Sequence, residues 1–175
     1  MQTFNGIIAT LENSQSLEVG NQAFKNEIIL DQDLSMSVFW DLHFSNVNFR
    51  QVNFSGSSFM ACDFTNCTFD KTILRKCEFT DSTFRNCNII NSSLAKAEFD
   101  NNLFINCPFH IVNLGWSYIE NCEFIKTKLS DINFTRTVID TFKTKDTTFL
   151  NLKFDESFPI KFWKSGKLTK IFLDL

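Results

Sequence analysis

Cysteine and histidine are the side chains in this sequence best suited to nucleophilic catalysis or metal binding. The 175 residues include six cysteines and two histidines. Cys67, Cys87 and Cys107 recur at intervals of 20 residues, so a fold with that period would stack three thiols closely enough for a disulfide or a metal ion to be considered. Parallel side chains in such a stack have poor disulfide geometry, and the sequence contains no CxxC pair. We therefore expect free thiols and no metal site.

The histidines give no better basis for catalysis. His43 and His110 are far apart in the sequence, and neither a glycine-rich phosphate loop nor an HExxH motif accompanies them. We expect no catalytic residues, no cofactor and no enzymatic activity.

A five-residue repeat runs through most of the chain. From Ser37 to Glu156, 24 consecutive blocks have a large residue in third place, which is Phe in 16 blocks, Leu in four, Ile in three and polar only at Thr144. Two places earlier, 19 blocks carry Ala, Cys, Ser, Thr or Val. Phe142 holds that small position before Thr144, and this exchange of sizes predicts a distorted coil near residues 141–146. The small position also holds every cysteine, namely Cys62, Cys67, Cys77, Cys87, Cys107 and Cys122.

A period of five fits neither a helix nor an uninterrupted strand, so each block must combine a short extended segment with a bend. Two residues of every five point inward, one small and one large, and the other three face water. Four bends close a square coil of about 20 residues, and successive coils stack about 4.8 Å apart with like side chains in ladders. The sequence therefore predicts an all-β solenoid of about six coils, with the cysteines in its core.

Blocks such as CDFTN, CTFDK, CEFTD and INFTR resemble the A(D/N)LXX signature of the pentapeptide-repeat family. The resemblance covers about two thirds of the chain and implies a right-handed quadrilateral β-helix, a handedness that spacing alone does not give. The Phe-rich blocks are similar to those of Qnr-type quinolone-resistance proteins and microcin-immunity proteins. Qnr-type proteins are thought to imitate the DNA bound by type II topoisomerases such as DNA gyrase, and several of them form end-to-end dimers.

Both ends of the chain depart from the pattern. Residues 1–36 are predicted to form an N-terminal cap and a degenerate first coil, because glutamine and glutamate occupy the small positions there. Residues 37–156 are the predicted β-helix, and residues 157–175 are a predicted C-terminal cap that prevents edge-to-edge growth. The apolar residues of this cap suggest that it also forms a dimer contact: Phe158, Phe162, Trp163 and Phe172.

Positions that are multiples of 20 apart fall on one side of the predicted solenoid. The side that begins with SVFWD carries seven acids and neither Lys nor Arg: Asp41, Glu78, Asp81, Glu98, Asp100, Glu120 and Asp140. Three aromatic residues occupy outward positions on or beside it, namely Trp40, Trp116 and Tyr118. The side that begins with VNFSG has a net charge of +3 and includes Lys76, Lys96 and Arg136. The acids either bind a basic partner or keep an edge-rich surface soluble.

The sequence favours a non-enzymatic, rigid scaffold that mediates protein–protein interaction through the acidic side. The alternative is a DNA-mimicking protein that binds a type II topoisomerase such as DNA gyrase, as the resemblance implies. In either case we expect a protein partner, with a homodimer through the C-terminal segment as a further option, and no direct contact with nucleic acid or a membrane. The first fifteen residues lack a basic stretch followed by a long apolar run, which favours a cytoplasmic location.

Overall fold

Most five-residue blocks fold as a short strand followed by a bend, and the blocks stack into a parallel β-solenoid. The computed structural model describes residues 2–10 and 16–154, and the backbone of residues 162–164 and 167–169. Blocks that are 20 residues apart pair side by side, so four blocks complete one coil. The predicted all-β solenoid is confirmed, and the seven strands stacked on one side give it seven coils.

The described residues contain one short helix, α1 (Phe4–Ile8), and strands that mostly span three residues. The strands are β1 (Glu18–Lys25), β2 (Ile28–Leu30), β3 (Val38–Ser45), β4 (Asn48–Arg50), β5 (Ser58–Met60), β6 (Asp63–Thr65), β7 (Thr68–Asp70), β8 (Glu78–Thr80), β9 (Thr83–Arg85), β10 (Asn88–Ile90), β11 (Glu98–Asp100), β12 (Leu103–Ile105), β13 (Phe109–Asn113), β14 (Tyr118–Glu120), β15 (Glu123–Ile125), β16 (Lys128–Asn133), β17 (Val138–Asp140), β18 (Lys143–Lys145), β19 (Thr148–Lys153), β20 (Phe162–Lys164) and β21 (Lys167–Thr169).

The solenoid has four sides. Side 1 contains β5, β8, β11, β14 and β17, and side 2 contains β6, β9, β12, β15 and β18. The long strands β1 and β3 pass through the corner that joins these two sides. Side 3 contains β2, β4, β7, β10, β13, β16 and β19. Side 4 is held by isolated bridges that link Asp33, Asn53, Ile73, Ser93 and Asn113.

Phenylalanine rings stacked one coil apart fill the interior. On side 2, the ring centroids of Phe64, Phe84 and Phe104 are 4.7 Å apart at each step. Rings on neighbouring sides meet edge to face, as Phe59 and Phe64 do at 63°. Both geometries are favourable for aromatic pairs and add about 0.5–1.5 kcal/mol per pair beyond burial. The repeated Phe therefore forms the main stabilising core.

The small inward residues also connect the coils by hydrogen bonds. Ser57 Oγ donates to the carbonyl of Leu34 at 2.8 Å and accepts from the backbone N–H of Ser37 at 3.0 Å. Cys77 Sγ donates to the carbonyl of Phe54 at 2.9 Å in the same way. Each of the six cysteines is buried and free, and each donates its S–H to the carbonyl 23 residues earlier. The small position therefore favours Ser, Cys and Thr for hydrogen bonding as well as for size.

The blocks that the structure describes completely end in a left-handed backbone conformation. From Asn21 to Asn151, the last residue of each block has φ between 50° and 64°, except Gly56 at 72°. Asn and Asp tolerate this conformation better than most residues with a side chain, which explains how often they stand there. At the corner between sides 2 and 3, the side-chain amides form a hydrogen-bonded ladder with N–O distances of 2.9–3.2 Å through Asn26, Asn46, Asn66, Asn86 and Asn106.

Helix α1 covers the N-terminal end of the solenoid. The carboxylate of Glu27 accepts hydrogen bonds from the backbone N–H groups of Phe4 at 2.8 Å and Asn5 at 2.9 Å. Glu27 occupies a small inward position, and these hydrogen bonds compensate its carboxylate for the water contacts that it loses there. The Phe4 ring is fully buried and lies 5.0 Å from that of Phe24. Because β1 pairs in register with β3, the residues before Ser37 include one complete coil beneath this helix.

The exchange of sizes at Phe142 and Thr144 leaves the strand pairing of the last coil regular. Strand β18 stays in register with β15, so the predicted distortion does not appear in the pairing. The Phe142 ring lies 4.7 Å from that of Phe124 and is buried, so it fills the stack although it starts from the small position.

The C-terminal segment is described only in part. Strand β20 pairs in parallel with β18, with Trp163 opposite Lys143, and β21 folds back antiparallel on β20. Phe162 and Trp163 therefore stand in a strand that continues side 2. Phe158 and Phe172, the other residues of the predicted cap and dimer contact, lie outside the described residues.

Candidate interaction surface

Five of the predicted acidic residues stack in two columns on side 1. Parallel pairing places Glu120 between Asp100 on one neighbouring strand and Asp140 on the other. The second column places Glu78 directly beside Glu98. We call these five residues the acidic ladder. Within each column the residues are 20 apart in the sequence, which is the length of one coil, so the sequence placed them on the same side.

The other two acids stand at the corner between sides 1 and 2. Asp41 and Asp81 both end their blocks and have left-handed backbones. Asp81 Oδ1 accepts a hydrogen bond from Asn101 Nδ2 at 2.6 Å, which fixes the carboxylate along the corner. Asp41 is two coils away from Asp81, beside the less charged N-terminal part of side 1.

The acidic ladder carries uncompensated negative charge. Within the part of the chain that the structure describes, none of its members forms an ion pair with Lys, Arg or His. Like charges directly opposite each other on neighbouring strands are destabilising. Partial desolvation and the negative charges of Glu120, Asp140 and Asp100 raise the pKa of the neighbouring Tyr118. Tyr118 therefore remains a neutral phenol, able to donate a hydrogen bond from the middle of this surface.

Trp116 stands on the corner between sides 4 and 1, next to the acidic ladder. The guanidinium carbon of Arg136 lies 4.5 Å from its ring centroid, and Nζ of Lys96 lies 5.9 Å from it. The indole is 56% exposed although its backbone has φ of 64°, an uncommon conformation for a bulky residue. Cation–π contacts from both neighbouring coils hold the ring in place. A rigid, exposed indole of this kind is typical of an interface anchor.

Trp40 differs from Trp116 because it lies against the solenoid. Its indole covers Gly20 in the first coil, and a Cβ atom at residue 20 would collide with the ring. Trp40 is consequently half-buried, although it occupies the outward position that the sequence predicts. We regard it as part of the packing of side 1, while Trp116 and Tyr118 remain accessible.

The basic residues form the edge of the same surface. Lys76, Lys96 and Arg136 end their blocks at the corner that also holds Trp116. Lys96 precedes Glu98 by only two residues, so positive charge directly adjoins the acidic ladder. The sequence was sorted by whole sides, so these basic residues were assigned to a different side from the acids that they adjoin. Their shared fifth position in the block would have shown that they form a separate column at the corner.

The sequence of residues 57–134, which contains four members of the ladder, matches the family model of the pentapeptide repeat region. This part of the chain is a pentapeptide repeat region. A comparison with curated proteins found no match.

Several solved structures of pentapeptide-repeat proteins are similar to this one. Rfr23, a pentapeptide repeat protein from the cyanobacterium Cyanothece 51142, is 10% identical, with a TM-score of 0.43 and coverage of 79% of this chain and 91% of that chain. QnrB1, a plasmid-mediated fluoroquinolone resistance protein, is 12% identical, with a TM-score of 0.37 and coverage of 77% and 94%. HetL, involved in heterocyst differentiation regulation in Nostoc sp. strain PCC 7120, is 10% identical, with a TM-score of 0.23 and coverage of 85% and 95%.

Both histidines lie beside acids that are one coil away. His43 Nδ1 is 3.0 Å from Asp63 Oδ2 on side 2. His110 Nδ1 is 2.9 Å from Ser130 Oγ and 3.2 Å from Asp131 Oδ2. In a Ser-His-Asp triad the acid and the serine contact different ring nitrogens, whereas here both approach Nδ1 and Ser130 is buried. The sequence analysis missed these contacts, but their geometry does not assemble a catalytic nucleophile.

The described residues contain no helix with the length and apolar character needed to cross a membrane. They also contain no group of three or more His, Cys, Asp or Glu side chains arranged to hold a metal ion.

Proposed function

We propose that this protein is a non-enzymatic scaffold that binds a protein partner with a basic surface through the acidic ladder. One observation carries the proposal: Asp100, Glu120 and Asp140 stack on neighbouring strands, and none of them forms an ion pair among the described residues. This arrangement opposes folding. Positive groups of a partner would turn the same charge into attraction.

The solenoid supports this role because it fixes the spacing of the charges. Successive coils are joined by backbone hydrogen bonds, so carboxylates in one column repeat about every 4.8 Å. A surface that is already ordered loses little conformational freedom when it binds. Trp116 and Tyr118 lie beside the charges and add rigid aromatic contact area.

Capture of partners from the native host, followed by binding measurements with the purified partner, tests the proposal. The double variant Asp100→Asn/Glu120→Gln should bind severalfold more weakly, mainly through slower association. The matched control is Glu123→Gln/Asp146→Asn, which removes the same charge from side 2 and should bind like the wild type. Equal binding by all three proteins would exclude the acidic ladder as the interface.

A DNA-mimicking protein that binds a type II topoisomerase is the second candidate. The observation that favours it is the regular column of carboxylates on one side of a rod, which could occupy a basic DNA-binding groove. QnrB1, with a similar fold, is a fluoroquinolone resistance protein. DNA is negatively charged all around, whereas this chain has a net charge of only −3 and a basic corner at Lys76, Lys96 and Arg136, so we place this function second. Inhibition of supercoiling by purified DNA gyrase, lost in the double variant and kept in the control, would support it.

We also propose that the protein forms a homodimer through residues 157–175. This proposal is supported by the apolar residues of that segment, Phe158, Phe162, Trp163 and Phe172. Sedimentation equilibrium of the full chain and of Phe158→Ser/Phe172→Ser tests it. A monomeric wild type would exclude the dimer without affecting the proposed role of the acidic ladder.

A further inference from the structure

A depression of about 480 Å³ that is largely open to solvent crosses the corner between sides 3 and 4, away from the acidic ladder; we call it the groove. This volume lies within the range of small-molecule sites. Most of the side chains that reach its surface end in an amide, a hydroxyl or a carboxylate, and one is aliphatic: Asn91, Ser93, Asn113, Asp131, Asn133 and Ile111.

Ile111 is the unusual residue of this groove. Its backbone is left-handed, with φ of 54°, and its side chain is 52% exposed. The same corner holds Asn91 one coil below and Asp131 one coil above, both of residue types that tolerate this conformation. A β-branched side chain there is strained, and it gains no burial in return. A residue that adopts an unfavourable backbone conformation and gains no packing in return is expected mainly at functional positions.

The polar groups around Ile111 are held in fixed orientations. Asn113 Oδ1 accepts from Gly115 N and from Asn133 Nδ2, both at 3.0 Å, so its Nδ2 is left to donate elsewhere. Asp131 is held from two directions, with Oδ1 accepting from Asn151 Nδ2 at 3.0 Å and Oδ2 lying 3.2 Å from Nδ1 of His110. Polar groups fixed by their neighbours are preorganised for a ligand.

The composition of the groove selects the class of ligand. Its lining includes one carboxylate and neither Lys nor Arg, which disfavours phosphates, nucleic acids and other anions. An apolar ligand would leave the amide, hydroxyl and carboxylate groups of the lining without hydrogen-bond partners, which disfavours such a ligand although part of the surface is apolar. We infer that the groove binds a neutral polyhydroxylated ligand, a mono- or oligosaccharide. The amides and Asp131 would hydrogen-bond its hydroxyl groups, and Ile111 would contact the apolar face of a sugar ring. This site is independent of the proposed function.

NMR titration of the full chain with D-glucose, D-galactose and N-acetyl-D-glucosamine, each up to about 100 mM, tests the inference because small neutral ligands bind in the millimolar range. We expect saturable shifts of the amide signals of Asn91, Asn113 and Asn133 with at least one sugar. Ile111→Asn should weaken that sugar by about tenfold or more, and it should also raise the midpoint of urea unfolding because Asn relieves the backbone strain.

Thr141→Asn is the matched control. Thr141 is also β-branched and left-handed, with φ of 52°, but it lies at the corner between sides 1 and 2 in another coil. This variant should gain stability and keep the sugar affinity. The inference fails if none of the three sugars produces saturable shifts, if the shifts lie away from the groove, or if the two variants bind alike.

Discussion

The backbone N–H of Ser82 donates a 3.0 Å hydrogen bond to Oδ1 of Asn102, one coil above. The Asn102 side chain is 2% exposed, and its Nδ2 donates to the carbonyls of Phe79 at 2.8 Å and Asp100 at 3.0 Å. Asn102 therefore connects neighbouring coils by side-chain hydrogen bonds as Ser57 does, with three side-chain hydrogen bonds to backbone groups where Ser57 has two. A buried polar residue that breaks the size rule is therefore fully satisfied.

Replacing Asn102 by Asp should strongly destabilise the protein at pH 7. The carboxylate would place a buried charge against two carbonyl oxygens and could donate to neither, so we expect a loss of about 3–5 kcal/mol in the free energy of unfolding. Burial against carbonyl oxygens raises the pKa of the new carboxyl above its usual value of about 4, and protonation restores one donor. The loss should therefore shrink as the pH falls from 7 to about 4 and stay constant below that. Asn102→Ser keeps a donor and serves as the control in urea unfolding. Equal losses in both variants would mean that the hydrogen bonds of Asn102 do not matter.

The buried thiols should make the fold sensitive to alkali. Burial raises the pKa of Cys77 to about 12 and that of Cys122 to about 11. The folded state therefore holds these protons more tightly than the unfolded chain, whose thiols ionise near about 8.5. The stability from these groups is complete below pH 8.5 and is lost as the pH rises from about 9 to 12.

Urea unfolding of the wild type and Cys77→Ser between pH 7 and pH 11 measures this effect. Serine keeps the hydrogen bond to the Phe54 carbonyl and does not ionise, so the variant should lose less stability above pH 9. Parallel stability curves for the two proteins would contradict the contribution of Cys77.

Removal of one ring from the middle of the stack should create a cavity. Phe99 is 3% exposed and its centroid lies 5.1 Å from that of Phe79, so Phe99→Ala should cost about 3–5 kcal/mol in unfolding free energy. Phe149 in the last coil is only partly buried, and Phe149→Ala should cost clearly less. A loss below about 1 kcal/mol for Phe99→Ala would show that this ring does not fill the core.

The sequence predicted the solenoid and the acidic side well because both depend on position within a fixed period. Phe99 and Glu120 could be placed inside or outside from their phase alone. Side-chain contacts between coils and contacts made by the N-terminal residues could not be predicted from the position of a residue within the repeat. The carboxylate of Glu27 binds a helix more than twenty residues earlier, and the indole of Trp40 covers a glycine of the coil below. Both depend on side-chain reach, which a five-residue pattern does not encode.

The acidic ladder should reduce the stability of the free protein. Glu120 stands between Asp100 and Asp140 on the neighbouring strands, so Glu120→Gln relieves two repulsions and should raise the free energy of unfolding by about 0.5 kcal/mol at low salt. The gain should disappear at about 1 M salt, where the screening length falls to about 3 Å. The control Glu123→Gln, on side 2 opposite Leu103 and Lys143, should give no such gain. Urea unfolding at low and high salt measures both variants. If Glu120→Gln instead destabilises the protein at low salt, the ladder contributes to folding, and its repulsion can no longer be taken as a sign that it binds a basic partner.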